Sequence, residues 1–374
     1  MKRTFAFRKM LMISCLQTLL FGSLTLGQSS DQNQKRPPGC EHYDSVQIPA
    51  ADLPTDQDRE TLKSCVARDE TSNFAPSMDL YFGISQPADP VKARACAYLE
   101  RDTHQKTGIG GILTGDFGGA GMLTMIYANG KGAARSFDLA LKFACECAEE
   151  DEPVNNARLQ RLLKLQSQHW TGNDFSLCDD IEDTMQGSSS LAVAECRELQ
   201  EHFEQASRSA RLGKVEASWS SNEKQAFQDL QRAADAFFQA SSENEIEVRT
   251  HGIGAGTDAE ISEIDARSHL EDAFVTALEN FERGQLPHFS PAQFKQSDAE
   301  LNRVYKEYLK PFIPEPGEEP KSVTPDGIRT AQRAWLRYRE AWVTFGQLKY
   351  PSVTADNWRA WVTEQRIEIW RNGD

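Results

Sequence analysis

No cysteine follows Cys196, although seven lie between residues 40 and 196. No C-x-x-C or H-x-x-H pair occurs anywhere, and such pairs frame the common zinc sites. The seven histidines, His42, His104, His169, His202, His251, His269 and His288, are scattered. None sits in H-E-x-x-H or beside a glycine-flanked serine elbow. The acidic run Asp179, Asp180, Glu182, Asp183 lacks the alternating ligands and glycine of a calcium loop. "TGIGGILTGDFGGAG" (107–121) lacks the Gly-Lys-Ser/Thr ending of a phosphate loop, and "HGIGAGT" (251–257) lacks G-x-G-x-x-G spacing. The expectation is a chain with no catalytic residues, no metal and no cofactor, and therefore not an enzyme. One arrangement leaves no local mark, a carboxylate pair for sugar hydrolysis assembled in space.

Positive charge is also scarce. The chain of 374 residues carries a formal charge of −15. Residues 285–374 hold 13 Lys and Arg against 12 Asp and Glu, a net of +1. Residues 28–284 hold 24 against 44, a net of −20. Such a body repels nucleic acid and anionic lipid and attracts cationic partners.

What is present begins with a basic start, Lys2, Arg3, Arg8 and Lys9, and an apolar run from Met10 to Leu26. Thr25 and Gly27 suit the −3 and −1 positions of a signal-peptidase site. The expectation is a secretory signal peptide cut near Gly27, with no stable membrane insertion afterwards and a periplasmic or secreted product. Export makes disulfides the natural use of Cys40, Cys65, Cys96, Cys145, Cys147, Cys178 and Cys196. An odd number allows at most three bridges and leaves one thiol over. Cys145 and Cys147 are two apart on a helix and point to different sides, so they take different partners. Cys65–Cys96 is the first pairing expected.

Residues 28–60, rich in Pro, Gln and Asp, form a loose lead-in. Residues 61–200 form a cysteine-stapled block, in which "GAGMLTMIYANGKGAARSFDLALKFACE" (119–146) reads as helix, glycine turn, helix. Gly130 and Gly132 supply positive φ where the chain reverses. Ala140 is small where the two helices cross. In 201–284, Ala226, Leu230, Ala233, Phe237 and Ala240 form one helical stripe, and Leu270, Phe274, Ala277 and Phe281 form another. Together they predict a long antiparallel hairpin.

In 285–374, Ser290-Pro291 and Thr324-Pro325 each start a helix, with the hydroxyl as N-cap and proline first. Ala331, Trp335, Tyr338, Trp342 and Phe345 step by four, three, four, three. That spacing is a packing stripe, which the sequence places against the Leu301–Phe312 helix. Arg329, Arg333 and Arg337 lie off the stripe as a basic ridge, with Glu340 within reach of Arg337. A last helix carries Trp358, Trp361, Val362 and Ile369. The fold class is all-α.

Two resemblances follow from these stretches. Residues 119–146 resemble the Sel-one-like repeat, a tetratricopeptide relative built of helix hairpins, with Thr124 and Ala133 where that pattern has Gly and Val. Val91–Glu100 and Ala157–Gln166 read as degenerate neighbours, giving a short helical-repeat domain.

"SDAELNRVYKEYL" (297–309) with "AQRAWLRYRE" (331–340) resembles the LprI family of lysozyme inhibitors. The matching positions are Asp298, Leu301, Asn302, Tyr305, Gln332, Arg333, Trp335, Leu336 and Arg339. Glu340 stands where the family has Asp, and the cysteines that members often carry around these helices are missing. The resemblance implies an LprI-like helical domain and an exported binding protein whose partner is a protein, such as a cationic lysozyme. The other expected function is an envelope scaffold or protein-interaction module built on the helical repeats, without inhibitory activity. The bland role for Asn302 and Gln332 is as buried amides fixing helix register, and for Arg339 an ion pair with Asp298 or Glu340.

Overall fold

A computed structural model describes residues 37–66, 74–107, 117–147, 152–179, 190–248, 255–314 and 321–372. The expected signal peptide lies outside these, as do most of both glycine-rich stretches and of the acidic run after Asp179. Among the described residues the chain forms twelve α-helices and no strand. They are α1 (Asp56–Thr61), α2 (Pro76–Phe82), α3 (Pro90–Thr107), α4 (Ala120–Asn129), α5 (Phe137–Ala144) and α6 (Glu152–Ser167), followed by α7 (Ser190–Glu216), α8 (Ser221–Asn244), α9 (Ala255–Glu282), α10 (Pro291–Leu309), α11 (Pro325–Lys349) and α12 (Ala355–Asn372). None of the described helices is long and apolar enough to cross a membrane.

Two hydrophobic cores form. In the first, α2 packs on α3, α3 on α4, α4 on α5 and α5 on α6. Small residues let these helices approach closely; Ala93, Ala97, Ala128 and Ala140 have no exposed surface. The α4–α5 turn falls where the glycines require it. Gly130 (φ 65°) caps α4, its N–H bonding Ile126 O. Gly132 (φ 97°) lies so close to the Pro90 carbonyl that a Cβ there would overlap it. Ser136 caps α5 through the Leu139 N–H. Three disulfides close the region: Cys40–Cys145, Cys65–Cys96 and Cys178–Cys196. The expected first pairing is thus present. Cys145 is bridged, while the Cys147 thiol donates to Phe143 O at 3.4 Å.

Glu100 is the polar centre of this core. Its fully buried carboxylate accepts from Ser77 N (2.9 Å), Ser77 Oγ (2.6 Å) and Gly119 N (2.7 Å). Burial among neutral donors pushes it up to about 7.

The second core is aromatic. α8 and α9 pack on each other, as a hairpin should, but each has a further partner: α8 lies along α11, and α9 along α7. The Trp335 stripe does not face the Leu301–Phe312 helix. Tyr338 meets Phe237 (5.3 Å) and Phe238 (5.6 Å) of α8, and Trp342 meets Trp361 (5.1 Å) and Trp358 (6.0 Å) of α12. α10 packs against α12 instead. Rings of α8 and α12 occupy the α11 stripe, and α10 sets Tyr305 and Tyr308 against Trp370 of α12. Gly346 carries no side chain because the Trp358 ring lies on its Cα. Ser290 and Thr324 cap α10 and α11 as expected, with Pro291 and Pro325 in the first turn.

Candidate functional site: the two faces of α11

The stripe and the ridge of α11 separate as helical geometry requires. Inward, Trp335 is 1% exposed and Trp342 fully buried. Outward, Arg329, Arg333 and Arg337 are exposed, and Leu336 is 41% exposed among them. Arg329 pairs with Asp326 at 2.5 Å.

Between the faces lie polar contacts that fix the neighbouring helices. The half-buried Arg339 lies over the Trp335 ring (5.1 Å) and reaches Asp298 of α10 (3.5 Å) and Glu340 (3.2 Å). Both expected pairings of Arg339 are present. Glu340 does not take Arg337. It binds Arg359 of α12 at 2.9 Å, and that guanidinium holds its carboxyl below the usual range. The cause is tertiary, because α12 passes closer to Glu340 than the neighbouring turn's arginine does.

Of the two amides, one bridges helices as expected, although it is half-buried. Gln332 Oε1 accepts from Arg366 Nε of α12 at 3.3 Å. Asn302 is exposed instead, and its Nδ2 donates to Asp298 O at 2.7 Å within its own helix. It follows Leu301, which is buried, and one helical step of about 100° turns it to solvent. Tyr305 is half-buried against Trp370, with ring centroids 5.5 Å apart.

Beneath α11 lies a feature that the sequence did not mark. Arg366 is fully buried, yet sits in the α12 stripe four residues from both Val362 and Trp370. Its guanidinium forms a bidentate pair with Glu245 at the end of α8 (2.9 and 2.6 Å) and stacks on Trp370 (4.1 Å). Glu245 also accepts from Trp370 Nε1 (3.3 Å) and Ser241 Oγ (2.7 Å). Tyr308 donates to the Glu245 carbonyl (2.9 Å), and burial pushes its hydroxyl up to about 12. This pair borders a cavity of about 890 Å³ lined from α8, α9, α11 and α12, with Tyr308 and Phe312 at one side. An arginine in a stripe position was the available signal; Glu245, in the polar run "SSENEIEV", offered none.

The arrangement holds no group of three or more metal-binding side chains among the described residues. What it offers is a helix pair braced from behind, with a mixed basic and apolar ridge in front.

Residues 288–368 match the family model "Lysozyme inhibitor LprI". Comparisons with curated proteins and with solved structures gave no match. The LprI segment starts just before the Ser290 cap and ends within α12, so it contains α10, α11 and most of α12. Its family is named for inhibition and not for catalysis. The segment includes Arg366, while the carboxylate that neutralises it, Glu245, lies outside. The LprI helices are therefore completed here by α8. The nine positions on which the resemblance rests divide by face: Leu301 and Trp335 are buried, Asp298, Tyr305, Gln332 and Arg339 are half-buried, and Asn302, Arg333 and Leu336 are exposed.

Proposed function

We propose that this chain is an exported binding protein that inhibits a cationic lysozyme through the outward face of α11. The observation that carries the reading is the LprI match together with the exposure of Arg333 and Leu336 within it. A motif used only for packing has no reason to reach solvent. Three disulfides suit a chain that folds in an oxidising compartment. A signal peptide cleaved near Gly27 would deliver it there, to the periplasm or the medium.

Charge divides the labour. Residues 28–284 carry −20 and attract a basic enzyme over distance. Arg333 and Arg337 are in no ion pair among the described residues. Such a ridge suits a carboxylate on the partner, the group that glycoside hydrolases place in their clefts. Leu336 supplies apolar area between the two guanidiniums. The stacked helices α2–α6, read as a Sel-one-like unit, favour a second role as an envelope scaffold.

A lysozyme turnover assay with added full-length protein tests the first reading. Inhibition should be strongest at low salt and fade as salt rises, because exposed charges are screened over about 8 Å at physiological ionic strength. Arg333→Glu with Arg337→Glu leaves the core untouched and should weaken inhibition by about tenfold or more. A cationic lysozyme unaffected at low salt by the unaltered protein would leave the scaffold role in its place.

A further inference from the structure

We propose that the cavity behind α11 is a binding site for a small amphipathic organic cation, an alkyl or aryl ammonium. At about 890 Å³ it lies in the size range of small-molecule sites. Its walls include Phe237, Phe274, Trp335, Tyr338, Trp361 and Trp370. These rings give it an apolar lining, with Arg366 already lying over Phe237 and Trp370 and Arg339 over Trp335.

The ionisable groups on the wall decide the sign of the ligand. Arg366 looks like an anion receptor but is already committed. Both terminal nitrogens bind Glu245, and Nε binds Gln332. Its faces are covered by Trp370 and Phe237, at 4.1 and 5.0 Å. An incoming carboxylate or phosphate would have to displace a buried bidentate pair, which is costly. Asp265 is likewise held, by Arg197 of α7. Glu247 and Glu368 remain, both exposed at the cavity and in no ion pair among the described residues. His269 is the one other basic group on the wall. Two carboxylates against at most one cation leave the opening anionic over an aromatic interior. A positive head between Glu247 and Glu368, with an apolar tail against the rings, satisfies both. This site stands on the far side of the Trp335 stripe from the Arg333 ridge, so it does not depend on the inhibitor reading.

Calorimetric titration of the full chain with octyltrimethylammonium, octanoate and octanol tests it, with helicity followed by circular dichroism. The cation should bind at a single site, about tenfold tighter than octanoate. Glu247→Gln with Glu368→Gln should bring the cation down to the level of octanol. Ala273→Trp, which adds bulk at an exposed lining position, should weaken the cation and octanol together. Octanoate binding as tightly as the cation, or no binding of the cation, overturns the proposal. So does a cation affinity unchanged in either folded variant.

Discussion

The two cores of this chain reach order by opposite routes. The first sets alanines at close helix crossings beside buried rings such as Tyr98, Tyr127 and Phe143, and three disulfides close it. The second has no cysteine and holds six of the seven tryptophans. Each also buries a carboxylate, and differently. Glu100 has only neutral donors around it, whereas Glu245 has a guanidinium. Alanines bring helices together but bury little area each, and the disulfides add covalent closure to the burial of the rings. Large rings bury 150–250 Å² apiece, by a general estimate of about that size, and need no such closure.

Tryptophan fluorescence separates the two, since only Trp170 belongs to the first core. The largest effect should come from Cys40→Ser with Cys145→Ser. That bridge spans 105 residues, and closing a loop of about 100 residues contributes about 5 kcal/mol in the chain-entropy account. Far-UV ellipticity from the first core should melt early, with the fluorescence transition in place. A single joint transition would erase the contrast and make the cores one cooperative unit.

Trp335→Ala should do the reverse at a cost of about 3–5 kcal/mol. The fluorescence transition should move to lower temperature while the disulfide-closed helices keep theirs. An unmoved fluorescence transition would count against a packed Trp335.

The smallest effect concerns Glu100, the carboxylate with no cationic partner among the described residues. Glu100 is raised on folding to about 7, so its protonated form is the one the fold favours. Its contribution is complete below the ordinary carboxylate range and is lost as pH climbs toward 7. The first core should therefore be less stable at about pH 8 than at about pH 5. Glu100→Gln should flatten that slope. A slope unchanged in the variant would assign it to another group.

The helices of both cores were legible because their signals are local. The Ser290 and Thr324 caps, the Gly130 turn and the α11 stripe each depend on residues within one or two turns. The Arg329, Arg333 and Arg337 ridge was legible for the same reason. Pairings across the fold were not. Cys65–Cys96 was anticipated, but Cys40–Cys145 depends on where α5 lies, which no spacing encodes. Glu340 keeps the expected Arg339 but takes Arg359 of α12 in place of Arg337. Asn302 belongs to a motif, yet its exposure follows from which side of α10 meets α12. The cavity was invisible because its lining runs from Phe237 to Trp370, on separate helices.

One helix belongs to both regions. α7 is 27 residues long, about 40 Å at 1.5 Å per residue. Near its start, Cys196 is bridged to Cys178. Farther along, Arg208 reaches Ser268 (3.1 Å) and Glu271 (3.0 Å), and Arg211 reaches Glu279 (2.9 Å), all on α9. Both ends are thus keyed in rotation as well as in position. A single residue inserted between Leu199 and Arg208 would turn one key about 100° against the other. Seven inserted residues would restore the phase to within about 20° while lengthening the rod. In this molecule α7 works as a drive shaft, intolerant of a change in phase, and the Arg197–Asp265 pair at its start fixes its length along α9 as well.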